Sequence, residues 1–278
     1  MKDKGLIILF SLLAIIILSA LFAPLIAPYN PYDVDLTNKF APVTSSHILG
    51  TDHLGRDVFS RIIYGTRMSL ISVLATILLV LFLSLIVGSI AGFRGGLFDS
   101  ILMRICDVFL TFPTFILALF FIGVLGVGLI NVIIAIALTH WAWYARIVRS
   151  IVLETKQKNY VTAAKCAGSS RLKIVLKHIM PKVLSQVIIL ATLDLGHMML
   201  HVAGLSFLGL GVQAPTAEWG VMINDAAPYI REHPELMIYP GICIFITVAV
   251  FNSIGEKLRD RYETKEYSSS ESELCVKS

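Results

Sequence analysis

Tyr160-Val-Thr-Ala-Ala-Lys-Cys-Ala-Gly168, continuing to His178-Ile-Met-Pro181, is a short basic stretch set between two long apolar runs. A membrane chain that keeps its one sizeable excursion helical, alanine-faced and positively charged is offering that helix to a soluble partner. The fold follows from what lies on either side of it.

The chain has 278 residues, of which 56% are hydrophobic and only 15% charged. Its mean hydropathy is +0.79, far above that of a soluble domain of this size. A membrane-crossing helix needs about 20 predominantly apolar residues. Charge-poor runs at 6–23, 69–92, 105–125, 129–145, 183–208 and 236–254 meet that need, the fourth only if Trp141 and Trp143 count as interfacial. The expected class is therefore an all-α polytopic membrane protein with six spanning helices. Lys2 and Lys4 before the first run resemble a secretory signal, but the run exceeds the roughly 7–15 apolar residues of a signal core. A retained span is expected.

Orientation follows from the placement of Lys and Arg. With the amino terminus inside, 18 of the 23 basic residues fall on inner segments, nine of them between Arg146 and Lys182. Only Lys39, Arg56, Arg61, Arg67 and Arg231 fall outside. Both termini are expected in the cytoplasm of a prokaryotic cell, and the net charge of +4 is topological, with no nucleic-acid partner implied. Cys106 and Cys243 lie in spans while Cys166 and Cys275 are cytoplasmic, so no disulfide framework is implied.

Three regions follow: 1–68, a first span and an outer segment; 69–262, a five-helix core with the cytoplasmic segment 150–182; and 263–278, a polar tail expected to lack structure. Within the outer segment, 49–61 is expected to form a turn and an interfacial amphipathic helix, with Asp52, Arg56 and Asp57 hydrogen-bonded in the turn. Gly88 and Gly92 have the spacing that lets helices approach closely in lipid. Trp219 and Asp225 are expected on a short outer helix. Arg104 and Asp107, three residues apart, can pair on one helix face. No phosphate-binding loop, zinc-protease motif or complete dinucleotide fingerprint occurs, so nucleotide chemistry is not expected of this chain and no cofactor is implied.

The cytoplasmic stretch, Leu49–Arg61 and Leu205-Ser-Phe-Leu-Gly-Leu-Gly211 together resemble the inner-membrane permeases of binding-protein-dependent ABC importers, in the dipeptide/oligopeptide/nickel branch. His140-Trp-Ala-Trp-Tyr-Ala-Arg146, Asp194-Leu-Gly-His-Met-Met-Leu-His201 and 214–226 are similar to the nickel-import members of that branch. The resemblance covers nearly the whole chain except its last dozen residues. It implies a second homologous permease, two cytoplasmic ATP-binding subunits, an extracytoplasmic substrate-binding protein, and nickel or a nickel chelate as cargo. In the family's coupling motif, Ala163, Ala164, Gly168 and Pro181 match, while Thr162 stands where Glu is usual. The alanines give a flat face with little side-chain entropy to lose, Gly168 permits the helix-ending turn, and Pro181 suits the start of the next element. Without the resemblance, 150–182 also fits a basic helix lying on membrane lipid.

Asp194, His197, Met198 and His201 fall at 0°, 300°, 40° and 340° on an ideal helix, within about 10 Å of rise. A carboxylate near mid-bilayer costs about 2.5–3.5 kcal/mol, so this stripe is expected to face the bundle interior or a water-filled path. Imidazole suits Ni²⁺, Zn²⁺ and Cu²⁺, and a thioether adds a soft donor. Transient contacts with passing metal are expected, without a closed metal shell. The plainer alternative is a structural bond from His197 to Asp194. His140 is a further candidate, although an aromatic belt with Trp141, Trp143 and Tyr144 also accounts for it. A peptide or metallophore permease, and a gradient-driven carrier or channel, are the competing functions; a membrane enzyme has no assembled nucleophile and base to support it.

Overall fold

A computed structural model describes residues 4–275, with side chains from 5 to 262. Lys2 and Lys277, which entered the orientation count, lie outside the described residues. The chain is 78% helical, and the described residues contain no strand. The elements are α1 (Lys4–Leu21), α2 (Ala23–Ile26), α3 (Val58–Arg94), α4 (Gly96–Thr111), α5 (Thr114–Leu125), α6 (Leu129–Lys156), α7 (Asn159–Cys166), α8 (Arg171–Ile174), α9 (Met180–Phe207), α10 (Trp219–Ala226) and α11 (Glu235–Cys275).

Four helical runs are long and apolar enough to cross a bilayer: Val58–Arg94, Leu129–Lys156, Arg171–Phe207 and Glu235–Tyr262. The expected third span is instead a broken pair, α4 and α5, bent by 95°. Pro113 is the cause, because a residue before proline is pushed out of the helical region and Phe112 lies at φ −90°, ψ 141°. The first span is the shorter apolar helix Gly5–Leu21. Four helices thus meet the length expected of a span, five with the bent pair taken as one, and the shorter Gly5–Leu21 helix occupies the first of the six expected positions.

Three other expectations need correction. The interfacial helix expected within 49–61 is absent as a separate element. Asp57 caps α3 by accepting from the Ser60 amide at 2.8 Å, and the helix runs unbroken for 37 residues, about 55 Å at 1.5 Å per residue. The segment 150–182 is shorter than expected outside the helices, because α6 continues to Lys156 and the fifth span begins at Arg171. Pro181 sits in the first turn of α9, as expected for the start of an element, just after a π-helical turn at Val175–Ile179. That wider turn accommodates a ring that donates no N–H and crowds the carbonyl four residues earlier. Finally, the backbone of α11 stays helical to Cys275, where an unstructured tail was expected from 263.

Close helix contacts are built on small residues, as expected for packing in lipid. A Cβ on Gly88 would lie 2.5 Å from the Ala145 carbonyl oxygen and 2.6 Å from the Val148 Cβ, and one on Gly92 would lie 2.8 Å from the Val152 Cβ. These two glycines seat α3 against α6. Gly196 and Gly255 do the same between α9 and α11, against Asn252 and Leu193. At one end of α6, Arg149 grips Asp99 through two 2.5 Å bonds, and Lys156 Nζ donates to the Phe93 carbonyl at 2.8 Å. Asp107 pairs with Arg146 of α6, not with its own-helix neighbour Arg104.

The opposite end is covered by the loop before α3 and by α10. Glu218 is 1% exposed; it caps α10 through the Val221 amide (3.1 Å) and accepts from Ser69 Oγ (2.9 Å). Trp219 Nε1 donates to the Ile62 carbonyl at 3.2 Å, in space that Gly65 leaves open.

Candidate functional site

In the middle of the bundle, α6 and α9 bring most of the predicted stripe together. Tyr144 is fully buried, and its hydroxyl donates to Asp194 Oδ2 at 3.0 Å. The other carboxylate oxygen accepts from His197 Nδ1 at 3.2 Å. Asp194 therefore spends both oxygens on hydrogen-bonded partners, which offsets much of the cost of placing it inside a span. The His197 side chain is 68% exposed, so it reaches out of the bundle surface from this anchored carboxylate.

One turn further along α9, His201 packs against His140 of α6, ring centroids 4.9 Å apart and edge-on. His140 Nδ1 lies 3.0 Å from the Ile136 carbonyl. Thr139 Oγ1 lies 2.9 Å from the same nitrogen; in the tautomer that donates from Nδ1 to the carbonyl, Nε2 keeps its lone pair. That backbone anchoring is the posture in which imidazoles commonly meet metal ions. Among the described residues, no group of three His, Cys, Asp or Glu side chains comes together to hold a metal ion.

Met198 does not belong to the stripe. Its side chain is fully buried in the hydrophobic core, where the thioether packs, whereas His197 beside it is exposed. The aromatic belt also fails for two members, since Trp141 and Tyr144 are buried and only Trp143, 46% exposed, faces outward. Tyr144, which orients Asp194, was missed in the sequence. Its signal was present: it lies one turn from His140, and a phenol inside an apolar helix requires a partner.

The second candidate surface is α7. Val161 is fully buried and anchors it, while Thr162, Ala163, Cys166, Ala167 and Gly168 are exposed and Ala164 is half-buried. Gly168 has φ +76° and closes the helix: its amide bonds to the Lys165 carbonyl (3.0 Å) and that of Ser169 to the Ala164 carbonyl (3.1 Å). That is a Schellman end, which favours glycine because other residues avoid this backbone region. Beside it, Leu172 and Leu176 are 69% and 59% exposed, four residues apart on one face. With Tyr160, 49% exposed, they add an apolar strip that the alanine motif alone did not reveal. Exposed apolar side chains grouped in this way mark contact surfaces for protein or membrane.

At the other end, Asp52, Arg56, Arg61 and Asp225 form a buried ionic cluster. Arg56 Nε meets Asp52 at 2.7 Å and its Nη2 meets Asp225 at 3.2 Å; Arg61 reaches both carboxylates at 3.4 Å. Arg56 also receives no solvent to speak of, at 2% exposure, so the predicted turn is internal architecture. Burial holds His53, beside this cluster, below the usual imidazole range, with Asp52 opposing and Arg56 adding to the effect.

Residues 84–265 match the family described as binding-protein-dependent transport system inner membrane component. Residues 1–42 match the N-terminal TM domain of oligopeptide transport permease C. The chain is 52% identical over 252 residues to the nickel transport system permease NikC of Escherichia coli, covering 91% of each. It is 43% identical to the metal-staphylopine import permease CntC of Staphylococcus aureus, over 93% of this chain and 90% of that one. It is 39% identical to the oligopeptide permease OppC of Bacillus subtilis, over 91% and 83%. The fold resembles that in the inward-facing MetNI methionine ABC transporter, with TM-score 0.54 and 18% identity over 72% of this chain and 95% of that one. The expected resemblance therefore holds, and this chain belongs to the family of inner-membrane permease components of binding-protein-dependent transport systems.

Proposed function

We propose that the chain is one of two related permeases in an ATP-driven importer that carries nickel, free or chelated, into the cytoplasm. Both termini are cytoplasmic in this scheme. A substrate-binding protein delivers cargo outside, and two ATP-binding subunits engage the permease pair, one of them on α7 and its neighbouring leucines. ATP hydrolysis belongs to those subunits. The similarity to NikC across 91% of both chains carries the choice of cargo.

The geometry supplies a route for the coupling. α6 runs without interruption from His140 to Lys156, about 24 Å of continuous helix. A displacement at α7 is carried along it to the face where His140 meets His201. α9 reaches the same place from the other side of α7. Two imidazoles can share a divalent ion, and a site with so few protein donors releases it readily, as conduction requires. Tyr144 and Asp194 fix the α9 face and keep His197 at the edge of the path.

Replacing His197 and His201 with Ala and measuring radioactive nickel uptake in cells tests the path. Uptake falls if these side chains touch cargo; unchanged uptake at normal protein levels removes the assignment. The relationship to CntC favours a metal–metallophore complex as the second reading. Competition by cobalt, zinc and free histidine separates the two, and a peptide cargo would leave the histidine variants active.

A further inference from the structure

Near the α7 end of the bundle, a cavity of about 320 Å³ opens between α6, α9 and α11. That is large enough for a ligand, whereas the outer cavity beside Asp225 measures only about 20 Å³. Each helix contributes one face: Ile147 and Ile151 from α6; Gln186, Ile189 and Leu190 from α9; Arg259 and Tyr262 from α11. The aliphatic side chains form the walls. Polar groups gather around the α11 side, where Lys182, one turn before Gln186, places Nζ 5.1 Å from the centre of the Tyr262 ring.

We propose that this cavity binds an anionic phospholipid, with one acyl chain along the isoleucine wall and the phosphate at Arg259, Lys182 and Tyr262. Three observations favour this occupant. The walls are too apolar to hold a soluble anion. Arg, Lys, Gln and a phenol present hydrogen-bond donors to a phosphodiester, for which a guanidinium is the best-shaped partner. The position, beside the basic inner segment, is where anionic headgroups lie and where basic pockets between helices recruit them. A lipid seated there would tie the α6 lever to α9 and α11, a role separate from the identity of the cargo.

The test is native mass spectrometry on the assembled transporter after exchange into phosphatidylglycerol or phosphatidylcholine. Two basic side chains, at about fivefold each, give about 25-fold greater retention of phosphatidylglycerol. Lys182→Gln with Arg259→Gln should bring retention down to the phosphatidylcholine level. Ile189→Trp, which leaves the cations and fills the cavity, should lower phosphatidylglycerol retention comparably. Equal retention of the two lipids by the unmodified protein overturns the proposal, as does retention that neither variant alters. Cross-linking of an Ile189→Cys variant to the second permease, with no lipid retained, overturns it in favour of a protein occupant.

Discussion

Asp225→Asn is the sharpest perturbation of the outer cap. Two guanidiniums, Arg56 and Arg61, each 2% exposed, are balanced by two carboxylates, Asp52 and Asp225. The amide keeps the shape and an acceptor oxygen but removes the charge. One guanidinium is then buried without a counter-ion. Breaking a buried ion pair from one side costs about 3–5 kcal/mol. The Asp225 side chain keeps 26% of its exposure, so water offsets part of the loss. The lower end, about 3 kcal/mol or roughly a hundredfold in the unfolding equilibrium, is the expected value. Unfolding of the purified chain in mixed micelles, titrated with SDS, measures it. Adding Arg61→Met to Asp225→Asn restores the charge balance and should recover part of the loss, giving a coupling energy well above the additive value. An Asp225→Asn variant within about 0.5 kcal/mol of the unmodified protein, the range of an ordinary surface change, would refute the account of the cap.

Gly88→Ala should destabilise the bundle by about 1–3 kcal/mol, because its Cβ meets a backbone oxygen and a β-branched carbon that cannot swing aside. Gly123→Ala, with nothing within 4 Å of the new carbon, should be neutral in the same SDS titration. His53 is held below its usual range by burial, so the unfolded chain binds the proton more readily. Stability should therefore be present above the unfolded value, near 6.5, and fall as pH drops through the folded one. His53→Gln should flatten that dependence in melting curves taken between pH 5 and 7.5.

The spans were legible because lipid demands long apolar helices, and the coupling motif because alanines and a helix-ending glycine act locally. The break at Pro113 went unread, because a run judged by its apolar composition passes straight through a proline that bends the backbone by 95°. What escaped the sequence was set by neighbours on other helices. The spacing of Arg104 and Asp107 allowed a local pair, but Arg146 from α6 supplies the partner. A helical wheel put Met198 within 40° of Asp194, yet it could not show where the core boundary runs between them. The burial of Arg61 beside Asp225, 164 residues away, depends on how α10 folds back onto α3. The exposed Leu172 and Leu176 were hidden for a different reason: apolar residues near a membrane segment attract no notice until their surroundings are known.

The central claim is that α7 projects into the cytoplasm and receives its motion from an ATP-binding partner. The chain carries its own probe, because Cys166 on α7 is exposed whereas Cys106 is buried. With Cys275 replaced by Ser to leave one terminal thiol fewer, a membrane-impermeant maleimide should modify Cys166 in inside-out vesicles and not in intact cells, and assembly with the ATP-binding subunits should protect it. Modification of Cys166 from the outside of intact cells would contradict the account.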